Sequence, residues 1–271
     1  MLLLILFLLC SYVEMQAQSP YKAVREVKDS YSFWIYDPRF ALSSQRSEAY
    51  SDYDEEYFEG GANDVETKRP LIINLHGRSL CGNDMNRVLR YGTLTNVARG
   101  LQIDAYVVAP LNPGGAWNPA KLLRMLDWMI ANYDVDPTRV YVIGMSLGGY
   151  GVIDFVGTYP DRIAAAMALC GGGTLKSYDG LRKVPLWIIH GTADRAVPVT
   201  ASRSVVAAMK ACGDVPLLRY DEWAGVNHSQ PAKLFAKPIV YEWLICHSLT
   251  DNPRQVNREI QITKDILNGK W

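Results

Sequence analysis

The chain has no surplus charge: 28 basic and 28 acidic side chains cancel over 271 residues. It has no basic tract and no internal repeat, so it offers no footing for nucleic acid or an anionic membrane surface. No apolar run reaches the ~20 residues that span a bilayer. Histidine is scarce, with four in all, which confines any search for a general base to His76, His190, His228 and His247. Cysteine spacing matches no metal site, and no cofactor motif stands out.

What is present is a chain that is 49% hydrophobic and long enough for one large domain with a full core. Met1–Cys10 is a short apolar run followed by polar Glu14, Gln16 and Gln18. It reads as the core of a secretory signal peptide cleaved after Ala17. Met15 fits the minus-three position poorly, and no Lys or Arg precedes the run. Leu9 is large where a lipid-anchored Cys10 wants a small neighbour, so export without a lipid is expected, into the periplasm or the medium. Residues 18–271 then form one domain, with its core over about 70–249. Cys81, Cys170, Cys212 and Cys246 remain, and buried free thiols and disulfides both stay open.

Short apolar runs alternate with helix-compatible stretches. Tyr31–Tyr36, Leu71–Leu75, Ala105–Ala109, the run from Val140, Ile163–Leu169, Val184–Ile189 and Leu217–Tyr220 read as strands. Helical stretches are expected near Met85–Arg99, over Leu122–Ile130, Gly148–Tyr159 and Ala201–Ala211, and over Lys233–Leu249 with Pro238 inside. Asp136-Pro137 resets the chain before the Val140 strand. Pro38–Lys68 is a polar excursion, and the tail from Asp251 is hard to place. The alternation predicts an α/β fold: a mostly parallel sheet with helices on both faces.

The run Val140-Tyr-Val-Ile-Gly-Met-Ser-Leu-Gly-Gly-Tyr150 is the most informative segment. An apolar strand enters Gly-x-Ser-x-Gly and a helix follows, the form of a nucleophile elbow that exposes a serine hydroxyl above a sheet. Ser146 is therefore the candidate nucleophile. A serine hydroxyl needs a base within reach and an acid to orient that base. His228, in the loop after the last strand, is the candidate base. Asp194, after the Val184–Ile189 strand, is the candidate acid, with Asp214 and Asp221 as rivals. Two backbone amides, those of Arg78 and Leu147, are expected to hold the oxyanion. Each such donor can contribute about 3 kcal/mol to the transition state.

At this point a resemblance emerges. His76-Gly77, Asp136–Tyr150, Ala168-Leu-Cys-Gly-Gly172, His190-Gly-Thr-Ala-Asp194 with Val197-Pro198, and His228 occur in order. Over about residues 70–246 the chain resembles α/β-hydrolase serine esterases of the feruloyl, acetylxylan and polyhydroxybutyrate-depolymerase-like kind. Prolyl-oligopeptidase-type peptidases share much of the pattern but usually add a propeller domain. The resemblance implies an α/β-hydrolase fold, an acyl-enzyme route without metal, and ester substrates that are small molecules or acylated polysaccharide. Two positions depart from the pattern: Arg78-Ser79 replaces smaller residues, and Asn227 stands where glycine often precedes the histidine.

Only about fourteen residues separate Cys170 from Val184, too few for a large cap domain, so an open cleft is expected. Trp117 and Trp223, both near strand ends, are candidates to line it and stack on sugar or aryl groups. A peptidase and a non-catalytic binding protein on the same scaffold are the competing readings.

Overall fold

A computed structural model of the protein describes residues 19–40 and 68–269. The expected signal segment 1–17, Cys10, and most of the polar excursion 38–68 lie outside the described residues.

Eight strands form one sheet: β1 (Tyr21–Val24), β2 (Phe33–Tyr36), β3 (Arg69–Leu75), β4 (Tyr106–Pro110), β5 (Val135–Met145), β6 (Ala165–Leu169), β7 (Leu186–Gly191) and β8 (Leu218–Trp223). Their order is β1-β2-β4-β3-β5-β6-β7-β8. The β1–β2 and β2–β4 pairs are antiparallel, and every other pair is parallel. Five α-helices are described: α1 (Thr93–Val97), α2 (Pro119–Asn132), α3 (Leu147–Thr158), α4 (Thr200–Ala211) and α5 (Pro238–Ile245).

Side chains alternate across the sheet and feed two cores. Leu71, Ile73, Val140 and Val142 pack with α2, α3 and α4 on one face. Ile72, Tyr141 and Ile143 pack with α1 and α5 on the other. Burial on both faces explains why the strands read as continuous apolar runs. Each fully buried Leu, Ile or Val contributes about 2 kcal/mol by transfer, an upper bound before chain entropy.

Several elements depart from the sequence expectations. Asp136-Pro137 does not precede β5 but lies within it, in an irregular stretch where the pairing jumps from Arg69↔Val135 to Leu71↔Val140. There the missing proline N–H costs no ladder bond. The Met85–Arg99 stretch splits into a 3-10 helix, Met85–Leu89, and α1, with Gly92 at φ +113 between them. Pro238 starts α5 rather than interrupting a longer helix, and a 3-10 helix over Gln230–Ala236 precedes it. This is the first-turn position where proline costs nothing.

The tail after Asp251 finishes one core. Val256, Ile262, Ile266 and Leu267 are buried against it. Arginines staple the tail to the sheet. Arg219 Nη1 donates to Ile260 O at 2.6 Å, and Arg254 Nη2 donates to Ala164 O at 2.7 Å. All four described cysteines are free thiols. No described helix is long and apolar enough to cross a membrane. Among the described residues, 170–184 hold only loop and a 3-10 turn, Asp179–Lys183, so no cap rises from this segment.

Candidate active site

Strand β5 ends at Met145 and α3 begins at Leu147, leaving Ser146 alone on the turn. Its backbone sits at φ +59, ψ −122, a conformation that strains any residue with a β-carbon. Two hydrogen bonds brace it: Ser146 N–H donates to Leu169 O at 2.8 Å, and Tyr150 N–H donates to Ser146 O at 3.0 Å. The motif glycines allow the crossing. A β-carbon at Gly144 would lie 2.5 Å from Gly148 O, and one at Gly148 would collide with Leu75 O. Helix α3 therefore lies directly on the ends of β3 and β5, and the serine faces out above the carboxyl edge of the sheet.

The three expected side chains converge there. His228 Nε2 is 3.0 Å from Ser146 Oγ, and His228 Nδ1 is 2.6 Å from Asp194 Oδ2. Asp194 holds its loop and its partner at once. Its Oδ1 accepts Ala196 N–H at 2.9 Å and Val197 N–H at 2.8 Å. Its side chain is fully buried, whereas that of His228 is 26% exposed, which keeps the imidazole within reach of water. Burial pushes the Asp194 carboxyl up, but hydrogen bonds from His228 and the Val197 and Ala196 amides outweigh it and hold the group below its ordinary value. The rivals lie elsewhere. Asp221 accepts from Trp187 Nε1 at 2.6 Å, and Asp214 is exposed.

Asn227 braces the turn before His228. Its Oδ1 accepts Ser229 N–H at 3.1 Å, and its own N–H donates to Gln230 Oε1 at 2.8 Å. This reciprocal turn fixes the backbone that carries His228.

Behind the acid lies a second histidine. His190 Nε2 is 2.9 Å from Val197 O and 3.4 Å from Asp194 Oδ2, and Nδ1 is 2.7 Å from Ser202 Oγ. Val197 O only accepts, so Nε2 carries hydrogen and ties down the acid loop. Burial holds the His190 ring below the ordinary histidine range. His190, Asp194 and Cys170 offer ligand atoms within 4.8 Å of one another. By count they resemble a metal set. Asp194 is already engaged by His228 and two amides, however, and burial raises the Cys170 thiol to about 12. The chemistry of these donors suits a hydrogen-bonded support better than a metal site.

The two residues expected to supply the oxyanion amides line one cavity. Arg78 and Leu147 line a cavity of about 650 Å³ with Ser146 and His228. Leu147 is the first residue of α3, where an amide has no partner within the helix. Arg78 follows Gly77, whose carbonyl lies 2.8 Å from His76 Nδ1. Asn112 N–H donates to His76 Nε2 at 3.0 Å, so the hydrogen sits on Nδ1 and donates to Gly77 O. The peptide is planar and trans. Fixing Gly77 O therefore aims the Arg78 N–H the opposite way.

Trp117 and Trp223 do not line this cavity, contrary to expectation. Trp117 is 4% exposed, and its indole N–H donates to His76 O at 3.3 Å, packed under α3 against Gly151. Trp223 is 6% exposed within the core beside Val226. Tyr91 and Tyr150 are the aromatic residues of the cavity. Tyr150 was findable, because it lies one helical turn after Ser146 on the same face. Tyr91 belongs to no motif.

The strand order, the elbow and the Ser146–His228–Asp194 chain define an α/β-hydrolase fold. No protein-family model matches the chain. It is similar to poly(3-hydroxyalkanoate) depolymerase C of Paucimonas lemoignei, at 40% identity over 58 residues, 21% of this chain and 14% of that protein. It is also similar to acetylxylan esterase A of Aspergillus ficuum, at 24% identity over 176 residues, 59% of this chain and 56% of that protein. The chain thus spans less than two thirds of the length of either relative. Among solved structures, a thermostable esterase superposes with a TM-score of 0.61 at 21% identity, covering 84% of this chain and 63% of the other.

Proposed function

We propose that the protein is a serine hydrolase that cleaves carboxylic esters through an acyl-enzyme, acting on acylated carbohydrate or aryl esters. The observation that carries this reading is the continuous hydrogen-bonded chain from Ser146 Oγ through His228 to Asp194, opening on the cavity.

Ser146 Oγ attacks the ester carbonyl while His228 Nε2 takes its proton. Asp194 keeps the imidazole in the Nδ1–H tautomer and stabilises the imidazolium. The Arg78 and Leu147 amides hold the oxyanion. The carbonyl re-forms as the ester oxygen takes the proton from His228 and leaves as the alcohol, and water repeats the cycle to release the acid. Among the described residues no cap covers the cavity, which suits bulky or polymeric alcohols. Similarity to an acetylxylan esterase and a poly(3-hydroxyalkanoate) depolymerase supports esters over peptides.

A panel of p-nitrophenyl and sugar esters with acetyl, feruloyl and longer acyl groups, run beside peptide amides, tests the reading. Turnover of short acyl esters, with amides far slower, is expected. Amide turnover that exceeds ester turnover would make the protein a peptidase. The apolar run Met1–Cys10 supports export, and a mature chain starting after Ala17 on N-terminal sequencing is the expected result.

Replacing Asp194 by Asn keeps the shape but favours the wrong imidazole tautomer, so kcat should fall about 10⁴-fold. The same change alters stability against pH. The folded carboxyl titrates below its unfolded value, so its ionisation stabilises the fold above the ordinary Asp range, about pH 4, and that stability is lost as pH falls through the folded value. Melting temperature against pH should therefore fall less steeply below about pH 4 in Asp194→Asn than in wild type. Equal slopes would show that Asp194 is not held ionised in the fold.

A further inference from the structure

We propose that Tyr91 is a positioning residue for the oxyanion loop: its hydroxyl clamps Gly77 and thereby places the Arg78 amide. The assignment rests on the ester-hydrolase reading above.

Tyr91 lies in the turn between the Met85–Leu89 3-10 helix and α1, fourteen residues from Gly77 in sequence. Its side chain crosses to the loop after β3, where Gly77 N–H donates to the Tyr91 hydroxyl oxygen at 2.9 Å. The packing is close. A β-carbon at Gly77 would stand 2.8 Å from that oxygen, 3.3 Å from Met145 O and 3.4 Å from Ser146 Cβ. The hydroxyl, the glycine and the nucleophile therefore share one small volume, and Tyr91 walls the cavity beside them.

The clamp works with His76. Gly77 lies between two peptide groups, and a cavity-side or histidine side chain braces each, beside the bonds from Leu80 N–H to Gly77 O at 3.1 Å and from Trp117 Nε1–H to His76 O at 3.3 Å. On the amino side Tyr91 accepts the N–H, and on the carboxyl side His76 Nδ1 donates to the C=O. With φ −80 and ψ 173, Gly77 itself imposes no strain that would fix its angles. A glycine is the residue least able to hold a conformation alone, so the surrounding hydrogen bonds supply the restraint, and Tyr91 supplies the one to its N–H. Without the tyrosine oxygen, the Gly77 N–H loses its partner beside the cavity, and the preceding peptide keeps the longer bond from Trp117 Nε1–H to His76 O, at 3.3 Å. The Arg78 amide is then aimed less tightly, through the His76 and Leu80 bonds to Gly77 O without the brace on the Gly77 N–H. An oxyanion donor acts only when it is preorganised on the position the charge will occupy. A displacement of about 1 Å can cost on the order of 100-fold in rate.

Tyr91→Phe removes one oxygen and keeps the ring in the wall. Wild type and variant would be compared on p-nitrophenyl acetate, with phenylboronic acid as a tetrahedral mimic. The expected result is a kcat lower by about 10- to 100-fold, a KM within about twofold, and boronate affinity weakened in step with kcat. The acid limb of the pH profile should stay where it is in wild type, because the His228–Asp194 contact is untouched. A residue that merely packs would move KM and kcat together or leave both alone. Active wild type with an equally active Tyr91→Phe, or a loss confined to KM, overturns this assignment alone. Wild type that neither hydrolyses the ester nor binds the boronate overturns the ester-hydrolase reading and this one with it.

Discussion

Ser146→Ala is expected to lower kcat on short acyl esters by about 10⁴- to 10⁶-fold while the protein stays folded. The loss is large because, in the proposed mechanism, the hydroxyl is the atom that bonds to the acyl carbon. With alanine, His228 has no proton to accept and no acyl-enzyme forms. The residual rate is what binding and the two amides provide to a passing water. Stability should hold or rise slightly. Alanine keeps the strained φ of +59 but loses only one side-chain hydrogen bond, to an imidazole that remains partly solvated. Circular dichroism melts alongside ester kinetics separate the two effects. A variant with wild-type turnover would remove Ser146 from the chemistry.

Gly148→Ala is expected to damage the fold rather than the chemistry alone. The added methyl meets Leu75 O in β3 and lies 2.9 Å from His76 O, and both are backbone atoms that cannot rotate away. Helix α3 must lift from the sheet, which costs about 3 kcal/mol or more by the measure of overpacked cores. For a domain of this size the melting temperature should drop by about 10 °C. Lifting α3 also moves Ser146 and the Leu147 amide, so activity should fall with stability, unlike Ser146→Ala. An unchanged melting temperature would show that the helix does not lie on β3 as described.

The sheet was largely legible because strands buried on both faces must be apolar throughout, and a short run such as Leu71–Leu75 has few other uses. The site was legible for a different reason. A serine nucleophile needs a turn of one shape, and the acid and base must end later strands to reach it, so Asp194 and His228 followed from Ser146 in chain order. The tryptophans were not legible. Trp117 follows a strand end, and the same position serves a cavity wall or the core under α3; only the approach of Gly151 decides between them. Tyr91 gave no signal because its contact with Gly77 depends on how a 3-10 turn folds back, and no spacing encodes that. The tail was unreadable because Val256, Ile262 and Ile266 recur with no helical or strand period, and arginine bonds to backbone carbonyls hold it in place.

The most direct measurement is fluorophosphonate labelling followed by peptide mass mapping. Attack by an activated hydroxyl should place the phosphonyl adduct on Ser146 in wild type. His228→Ala should slow labelling by several orders of magnitude while the fold persists. An adduct on another residue, or labelling of Ser146 at the same rate without His228, would contradict the hydrogen-bonded chain as the catalytic device.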